Sequence, residues 1–324
     1  MHMADALLSP TVGVSLWTAS GTMLAFCANR LKVSLDDHKV PLMGVLGAFV
    51  FAAQMINFTI PGTGSSGHIG GGLLLALLLG PYAAFLTISS VLVIQAFFFA
   101  DGGLLALGTN MFNLGVFPCF VGLPLFRLMA GKRPSSGRMA AATTVAAVVG
   151  LEMGALGVAV ETLLSGRSEL TFGPFVALMA GIHLPIGLIE GFVTAAVLGY
   201  VLKIRPELTA QALGTGPDPA GQPRSLAPVL ASLALAALIC GGVLTWFASS
   251  RPDGLEWSIA RVTGGSDSAQ GAPNGARKDA AGPAWPAVDK DSSSAGLVGA
   301  LITLALAAAL GLVFSRRRGK TVAP

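Results

Sequence analysis

Long apolar runs separated by short polar segments make up most of the chain. A run of about 20 apolar residues is long enough to cross a bilayer as a helix. The runs that meet or approach this length are 9–29, 40–58, 70–100, 104–127, 139–163, 174–202, 226–248 and 295–314. The pattern therefore predicts an all-α integral membrane protein.

The run 70–100 is too long for one ordinary membrane helix. As a single helix it would extend about 46 Å, against a hydrocarbon core of about 30 Å. Gly80-Pro81 lies near its middle, and this pair is a turn signal because proline interrupts a helix interior. We therefore expect a hairpin of two short helices in this run.

The distribution of basic residues also favours the hairpin. Short cytoplasmic loops carry an excess of Lys and Arg. The basic clusters are Arg30/Lys32/Lys39, Arg127/Lys132/Arg133/Arg138, Lys203/Arg205/Arg224 and Arg316/Arg317/Arg318/Lys320. All four fall on one side of the membrane only if 70–100 is a hairpin. This topology predicts nine membrane helices, with the amino terminus outside and the carboxyl terminus in the cytoplasm.

The same topology predicts two domains. Residues 1–205 would form a seven-helix domain, and 226–324 would form a two-helix domain around an external loop, 249–294. That loop is long and polar, and we expect it to be flexible in part. The Pro- and Gly-rich segment 206–225 between the domains is predicted to be a cytoplasmic linker.

Composition excludes several classes of protein. The chain is 53% hydrophobic and 11% charged, whereas soluble domains have about 25% charged residues. Its three cysteines lie singly in apolar runs, which is typical of neither a disulfide framework nor a zinc site. Basic and aromatic residues do not interleave, so we expect no nucleic-acid partner. No Lys or Arg precedes Arg30, so a cleaved signal peptide is not expected.

His2 is the sharpest chemical feature of the sequence. The amine of Met1, the main-chain amide of His2 and the His2 imidazole offer three nitrogens in succession, which close two adjacent chelate rings around one ion. Four nitrogens in a plane suit Ni(II) or Cu(II). The amide must lose its proton, so binding should weaken in acid. We expect Met1 to be retained, because His2 is not a small residue.

His68 is the candidate for the fourth nitrogen. It lies in the Gly-rich segment Pro61–Gly72, which is predicted to be external, on the same side as Met1. Glycines allow close approach of the backbone, so such a loop can fold into the protein. Taken alone, each of these histidines is more often an ordinary surface residue. Together on one face of a membrane protein with four histidines, they favour metal binding.

Other polar residues lie within or beside the apolar runs. One set flanks the predicted outer ends of helices, where its members would orient His2 or His68 or simply bond between helices: Asn57, Gln95, Asp101, Asn110 and Asn113. A second set is ionisable and is predicted to line the metal's route or to contact another subunit: Glu152, Glu161, His183 and Glu190. His183 and Glu190 are spaced to share a helix face.

Enzyme motifs are absent from the sequence. There is no H-E-x-x-H, so a zinc protease is unsupported. Gly319-Lys320-Thr321 resembles the end of a P-loop, but the required first glycine is replaced by Phe314. We therefore expect a non-enzymatic chain with no intrinsic cofactor, and any ATP hydrolysis would take place in separate subunits.

Several separated motifs resemble the M component of cobalt/nickel energy-coupling-factor transporters, over about 1–205. The motifs are Met1-His2-Met3, Pro61–Gly72, Phe99–Gly103 and His183–Gly191. Residues 226–318, with Pro252-Asp253-Gly254-Leu255-Glu256, resemble the small N component of the same transporters. The N component is often a separate chain and here looks fused to M.

This resemblance implies a seven-helix S-component-like bundle whose amino terminus plugs into its centre. It implies a metal ion held by Met1, His2 and His68. It also implies two kinds of partner: a transmembrane coupling subunit and two ATP-binding cassette subunits. Membrane lipids are a further expected partner, because the apolar runs are predicted to lie in a bilayer. The loaded bundle is expected to tilt in the membrane when ATP is used, and the N part is expected to aid loading or coupling.

Residues and resemblance together predict the metal-capturing component of an ATP-driven importer in a bacterial inner membrane. We expect Ni(II) to be preferred to Co(II), because four planar nitrogens suit low-spin Ni(II). The alternative is a self-sufficient secondary transporter or exporter. Such folds often contain inverted repeats, and none is apparent in this sequence.

Overall fold

The computed structural model describes residues 2–34, 39–168, 170–206, 208–215, 225–263 and 294–321. Within these residues the chain is mostly helical, with very little strand. The helices are α1 (Pro10–Ser34), α2 (Lys39–Gln54), α3 (Gly72–Leu79), α4 (Pro81–Phe99), α5 (Leu107–Ala130), α6 (Ser136–Ser165), α7 (Phe172–Ile204), α8 (Leu208–Leu213), α9 (Ala227–Gly242), α10 (Gly254–Val262) and α11 (Ala295–Thr321). A two-stranded antiparallel ladder joins β1 (Phe58–Thr59) to β2 (Ser66–Gly67).

Six of these helices are long and apolar enough to cross a membrane. The segments that meet the length and composition are Pro10–Leu31, Pro81–Phe99, Leu107–Ala130, Ser136–Ser165, Phe172–Ile204 and Ala295–Val313. Helices α2 and α9 are apolar but shorter. Large apolar side chains such as Leu164 and Phe192 project outward from α6 and α7, as expected where lipid surrounds a helix. The chain is therefore a multi-pass membrane protein.

The predicted break in the run 70–100 is confirmed. Helix α3 ends at Gly80, which has φ 83° and ψ 163°, and α4 begins at Pro81. This backbone conformation favours glycine, and proline suits the first turn of the next helix. Helix α3 has only eight residues, about 12 Å at the usual rise, so it is too short to cross a bilayer by itself.

Helix α5 has an irregular middle, which the apolar pattern did not predict. An eleven-residue π-helical stretch runs from Phe112 to Gly122 and contains Pro118. Proline removes one main-chain donor and its ring obstructs regular helical bonding. A Cβ at Gly72 would lie 2.6 Å from both the Leu114 carbonyl oxygen and Pro118 Cγ. The irregular stretch thus packs directly against the start of α3.

The carboxyl-terminal helices pack on the amino-terminal bundle. Both α9 and α11 contact α2. Close approach depends on small residues, because a Cβ at Gly299 would collide with the Phe51 ring. Helices α9 and α11 approach each other where Gly241 meets Gly296. The residues of the predicted second domain are thus in direct contact with the predicted first domain.

Part of the predicted linker 206–225 is helical. The Gln211 side chain in α8 donates to the Leu78 carbonyl at the end of α3, with N and O 2.7 Å apart. The Arg127 guanidinium in α5 donates to the carbonyl oxygens of Ala212 and Gln211 at 3.1 and 3.0 Å. These bonds hold α8 against the end of the bundle where α3 and α4 meet.

Candidate metal centre

The amino-terminal segment enters the bundle and is clamped there by an asparagine. Met3 is fully buried. Its N–H donates to Asn110 Oδ1 at 2.7 Å, and Asn110 Nδ2 donates to the Met3 carbonyl at 3.1 Å. Because an amide side chain both donates and accepts, it pairs with one residue's backbone as a strand would. This clamp fixes the position of His2. Met1, the other predicted ligand of this segment, lies outside the described residues.

A tight turn beside the segment accommodates the clamp. Asp5 accepts from the N–H groups of Leu104 and Ala106 at 3.1 and 2.8 Å, just before α5. Gly102 and Gly103 have φ of 84° and 95°, and a Cβ on either would collide with Asn110 or Asp5. Only glycine meets both requirements at these positions. The Asp101-Gly102-Gly103 motif is therefore shaped to pack against residues 2–5.

The structure brings the His2 and His68 side chains together. Their rings stack with centroids 5.2 Å apart and planes 20° apart. His2 Nδ1 lies 3.5 Å from Asp101 Oδ1, so the predicted orienting residue faces the same nitrogen that would close the chelate ring. A metal ion taking up that nitrogen must displace this carboxylate from it.

His68 is poised as a neutral ligand. Its Nδ1 lies 3.0 Å from the Ile69 carbonyl oxygen, and since a carbonyl only accepts, Nδ1 carries the proton. The lone pair is then on Nε2, the arrangement usual for metal-binding histidine. Burial lowers the pKa of His68 to about 3, and the neighbouring His2 acts in the same direction. The imidazole is therefore uncharged at neutral pH.

Glu190 and a pair of glutamines fix the loop that carries His68. We call residues 59–71 the metal loop. The two carboxylate oxygens of Glu190 accept from the N–H groups of Gly70 and Gly71 at 2.9 and 3.0 Å. The Gln54 side chain donates to the Gly70 carbonyl at 2.6 Å and accepts from Gln95 at 2.7 Å. Buried polar groups thus hold the loop's exit in one position.

The other side of the metal loop contacts the second predicted domain. We call residues 251–257 the PDGLE segment. Its Pro252 carbonyl accepts from the Ser66 N–H at 2.8 Å, and its Arg251 carbonyl accepts from Ser66 Oγ at 2.7 Å. The Trp257 indole donates to the Thr63 carbonyl at 2.9 Å. Nearby, the Asn57 carbonyl accepts from the Ser249 N–H at 2.7 Å.

The remaining predicted residues have separate surroundings. Asn113 Nδ2 donates to Glu161 Oε2 at 2.9 Å, and both residues are buried. Glu152 is only partly buried on α6. His183 is buried on α7 and lines one narrow crevice with His68. The sequence predicted a role for each of these histidines, His68 as a ligand and His183 on the metal's route or at a subunit contact. It did not predict that the two would line the same crevice.

Several residues that build the site were missed. Ser66, Gln54 and Trp257 act through main-chain partners that are distant in sequence, so no local spacing marks them. Helix α10 did carry a signal. Asp253 and Glu256 form a capping box, with Asp253 Oδ1 accepting from the Glu256 N–H at 2.8 Å. An acidic or hydroxyl residue three places before Glu is a known helix-start pattern.

The described residues contain no group of three or more His, Cys, Asp or Glu side chains arranged to hold a metal ion. His2 and His68 bring two imidazoles together. The predicted chelate takes its two further nitrogens from the amino terminus and a main-chain amide, which are not side-chain groups.

Comparison with known proteins agrees with this architecture. A family model described as the cobalt uptake substrate-specific transmembrane region matches residues 2–208, and a PDGLE domain model matches residues 227–316. The putative fused nickel transport protein NikMN of Archaeoglobus fulgidus is 34% identical over 216 residues, covering 67% of this chain and 70% of the relative. The cobalt transport protein CbiM of Geobacter sulfurreducens is 30% identical over 247 residues, covering 74% and 69%.

A solved structure gives the same result. The crystal structure of a transition metal transporter is 33% identical and superposes with a TM-score of 0.55, covering 66% of this chain and 99% of that one. The matched family spans well over half of the present chain. The chain thus belongs to the cobalt uptake substrate-specific transmembrane region family, CbiM, as a cobalt/nickel transport component followed by a PDGLE domain.

Proposed function

We propose that the chain captures Ni(II) or Co(II) at the outer face of the membrane for an ATP-driven importer. The Met1 amine, the His2 amide and imidazole, and the His68 imidazole supply four nitrogens to the ion. The single observation that carries this proposal is the stacking of the two histidine rings, 5.2 Å apart, at the end of a clamped amino-terminal segment. The relatives named for nickel or cobalt transport support the choice of cargo.

The chemistry of the donors favours nickel. A deprotonated amide with an amine and two imidazoles is a strong planar field, which suits low-spin Ni(II). Cu(II) would bind the same nitrogens more tightly, so metal availability in the cell must exclude it. Amide deprotonation releases a proton when metal binds, so affinity falls as pH falls.

Transport energy comes from partner subunits in this proposal. The sequence carries no complete P-loop, so the ATP-binding cassette subunits and a transmembrane coupling subunit are separate chains. The chain then works as the substrate-binding component, and lipids surround its apolar outer face. Uptake by this chain in cells that lack any ATP-binding partner would replace the proposal with secondary transport.

A metal titration of the purified full chain tests the ligand set. We expect one Ni(II) per chain, with binding lost in His2→Ala, in His68→Ala and after acetylation of the Met1 amine. Acetylation turns the amine into an amide that holds its proton far more tightly, so this nitrogen no longer offers a lone pair to the ion. The matched control is His38→Ala, which alters a histidine in a segment predicted to be cytoplasmic. Undiminished binding by the acetylated chain would disprove the chelate.

A further inference from the structure

His183 carries a ring nitrogen that reaches no hydrogen-bond partner among the described residues. The side chain is fully buried in α7, and its Nδ1 lies 2.7 Å from the Met179 carbonyl oxygen. Because a carbonyl only accepts, Nδ1 carries the proton of the neutral ring. The other nitrogen, Nε2, is left with a lone pair that meets no donor in the described part of the chain.

This arrangement is the one in which histidine binds metals. A metal-bound imidazole usually donates its second ring N–H to a carbonyl or carboxylate, which fixes the tautomer and the ring orientation. His68 has the same arrangement, with Nδ1 against the Ile69 carbonyl. A buried acceptor without a donor otherwise costs free energy, and folded proteins rarely retain one without a reason.

The two imidazoles line one crevice. Gly67 and Gly70 of the metal loop form one wall with His68, and α7 contributes His183. The other lining residues are apolar: Leu114, Leu151 and Ile186. The crevice has no room for a water in this conformation, so an ion can lie between the two imidazoles only after its walls move apart.

The PDGLE segment closes over His183. A Cβ at Gly254 would lie 2.9 Å from His183 Cε1 and 3.2 Å from its Nε2, so the glycine backbone packs against the ring. Gly254 begins α10, and the preceding Pro252 carbonyl is bonded to Ser66 of the metal loop. The bare nitrogen therefore lies at the junction of α7, the metal loop and the PDGLE segment.

We propose that His183 is a second metal-contacting residue, whose Nε2 receives a partly hydrated divalent transition-metal ion and passes it to His68. The inference rests on the proposed function, because it needs a cargo ion at His68. Each step is a ligand exchange without oxidation or reduction. The His68 Nε2 replaces a water on the ion. The three amino-terminal nitrogens then replace His183 and the two waters that remain, and the protons lost by the Met1 amine and the His2 amide leave with the released water. The PDGLE segment must move off His183 for the ion to enter.

Loading kinetics of the purified full chain test this handover. Ni(II) uptake is followed by stopped-flow absorbance of the nickel-amide band, and affinity is measured separately at equilibrium. We expect His183→Gly to slow loading by about tenfold or more, a usual cost of removing a residue that supports a metal site. The equilibrium affinity should stay unchanged, because His183 is not a ligand in the final site. Thr194→Gly, buried on the same helix, controls for glycine in α7.

Chemical rescue separates a metal contact from a packing role. Free imidazole can fill the space left by His183→Gly and offers a lone pair to the ion. Pyrrole has nearly the same shape and keeps an N–H for the Met179 carbonyl, but it offers no basic lone pair. We expect imidazole, at a concentration that does not affect the wild type, to restore the loading rate, and pyrrole to leave it slow.

Three outcomes would overturn the inference. Loading of His183→Gly at the rate of Thr194→Gly would remove the kinetic role. Equal rescue by pyrrole would show that His183 only fills space. Failure of the wild-type chain to bind any Ni(II) or Co(II) would overturn the proposed function and this inference with it. Normal equilibrium binding with unchanged loading rates would leave the proposed function standing and reject only the handover.

Discussion

At the scale of single residues, polar side chains that are buried among apolar helices form hydrogen bonds with main-chain groups near the predicted ligands. Glu190 takes two consecutive N–H groups of the metal loop, and Asn110 takes both main-chain groups of Met3. Gly70 and Gly71 lie two and three residues after His68, and Met3 directly follows His2. Because a metal site tolerates little displacement of its donors, these side chains determine where His2 and His68 lie.

The Glu190 clamp leads to a specific expectation. Glu190→Gln keeps the shape of the side chain but leaves one oxygen, so one of the two glycine N–H groups loses its acceptor. An unsatisfied buried donor costs about 1–3 kcal/mol, and loss of a residue that orients a ligand weakens metal binding by about 10–100-fold. We expect both losses, measured by thermal unfolding in detergent and by Ni(II) titration.

Glu152→Gln is the matched control for this variant. Glu152 also lies on a membrane helix and is only partly buried, but it does not bond to the metal loop. Its replacement should leave Ni(II) affinity unchanged. Equal affinity of Glu190→Gln and wild type would mean that the loop holds His68 without the carboxylate.

At the scale of elements, the metal loop is held between α7 on one side and the PDGLE segment on the other. Two features of this arrangement follow from local sequence. The break between α3 and α4 follows from Gly80-Pro81, and the start of α10 from the Asp253–Glu256 spacing. The π-helical stretch of α5 and the bond from Ser66 to Pro252 depend on which segments meet in three dimensions. The hydrophobic pattern describes only residues that are close in sequence, so it could predict neither the π-helical stretch nor this bond.

Gly254→Ala tests the contact between two of these elements. The added methyl would lie 2.9 Å from His183 Cε1 and 3.0 Å from Ile182 Cγ2, closer than ordinary contact allows. Overpacking of this kind costs about 1–3 kcal/mol, so we expect the PDGLE segment to be displaced from α7. Amide hydrogen exchange should then rise in the metal loop, because the Ser66 N–H loses its acceptor, the Pro252 carbonyl, and the Thr63 carbonyl loses its donor, the Trp257 indole.

Gly181→Ala provides the comparison for that substitution. Gly181 is on α7, two residues before His183, and a Cβ there meets nothing within 4 Å. It adds the same methyl to the neighbouring helix and should leave hydrogen exchange of the metal loop unchanged. Unchanged exchange in Gly254→Ala as well would show that the segment tolerates the methyl and that the contact is not tight.

At the scale of the whole molecule, the two predicted domains share both packing and the site. Helices α9 and α11 cover α2, while the PDGLE segment reaches the metal loop. The predicted boundary at 206–225 remains a prediction, and its helical part is bonded to the bundle. The sequence predicted the helices because apolar length is a local property. It did not predict that the loop of the second domain would lie against the metal loop, which is a property of the folded chain.

A chain cut after Arg205 tests how far the two parts depend on each other. Removing α9 and α11 uncovers an apolar face of α2, and lipid tails cover such a face at little cost because they are as apolar as the lost helices. We therefore expect residues 1–205 to fold and to keep a binding site for one Ni(II). The metal loop, however, loses its bonds to Pro252, Arg251 and Trp257. Bound Ni(II) should then exchange faster with free metal than in the full chain, as measured by transfer to a chelator.

Co-expression of 226–324 as a separate chain should restore slow exchange, because the same contacts can form between two chains. Equal exchange rates with and without the second chain would mean that the PDGLE segment does not hold the loop.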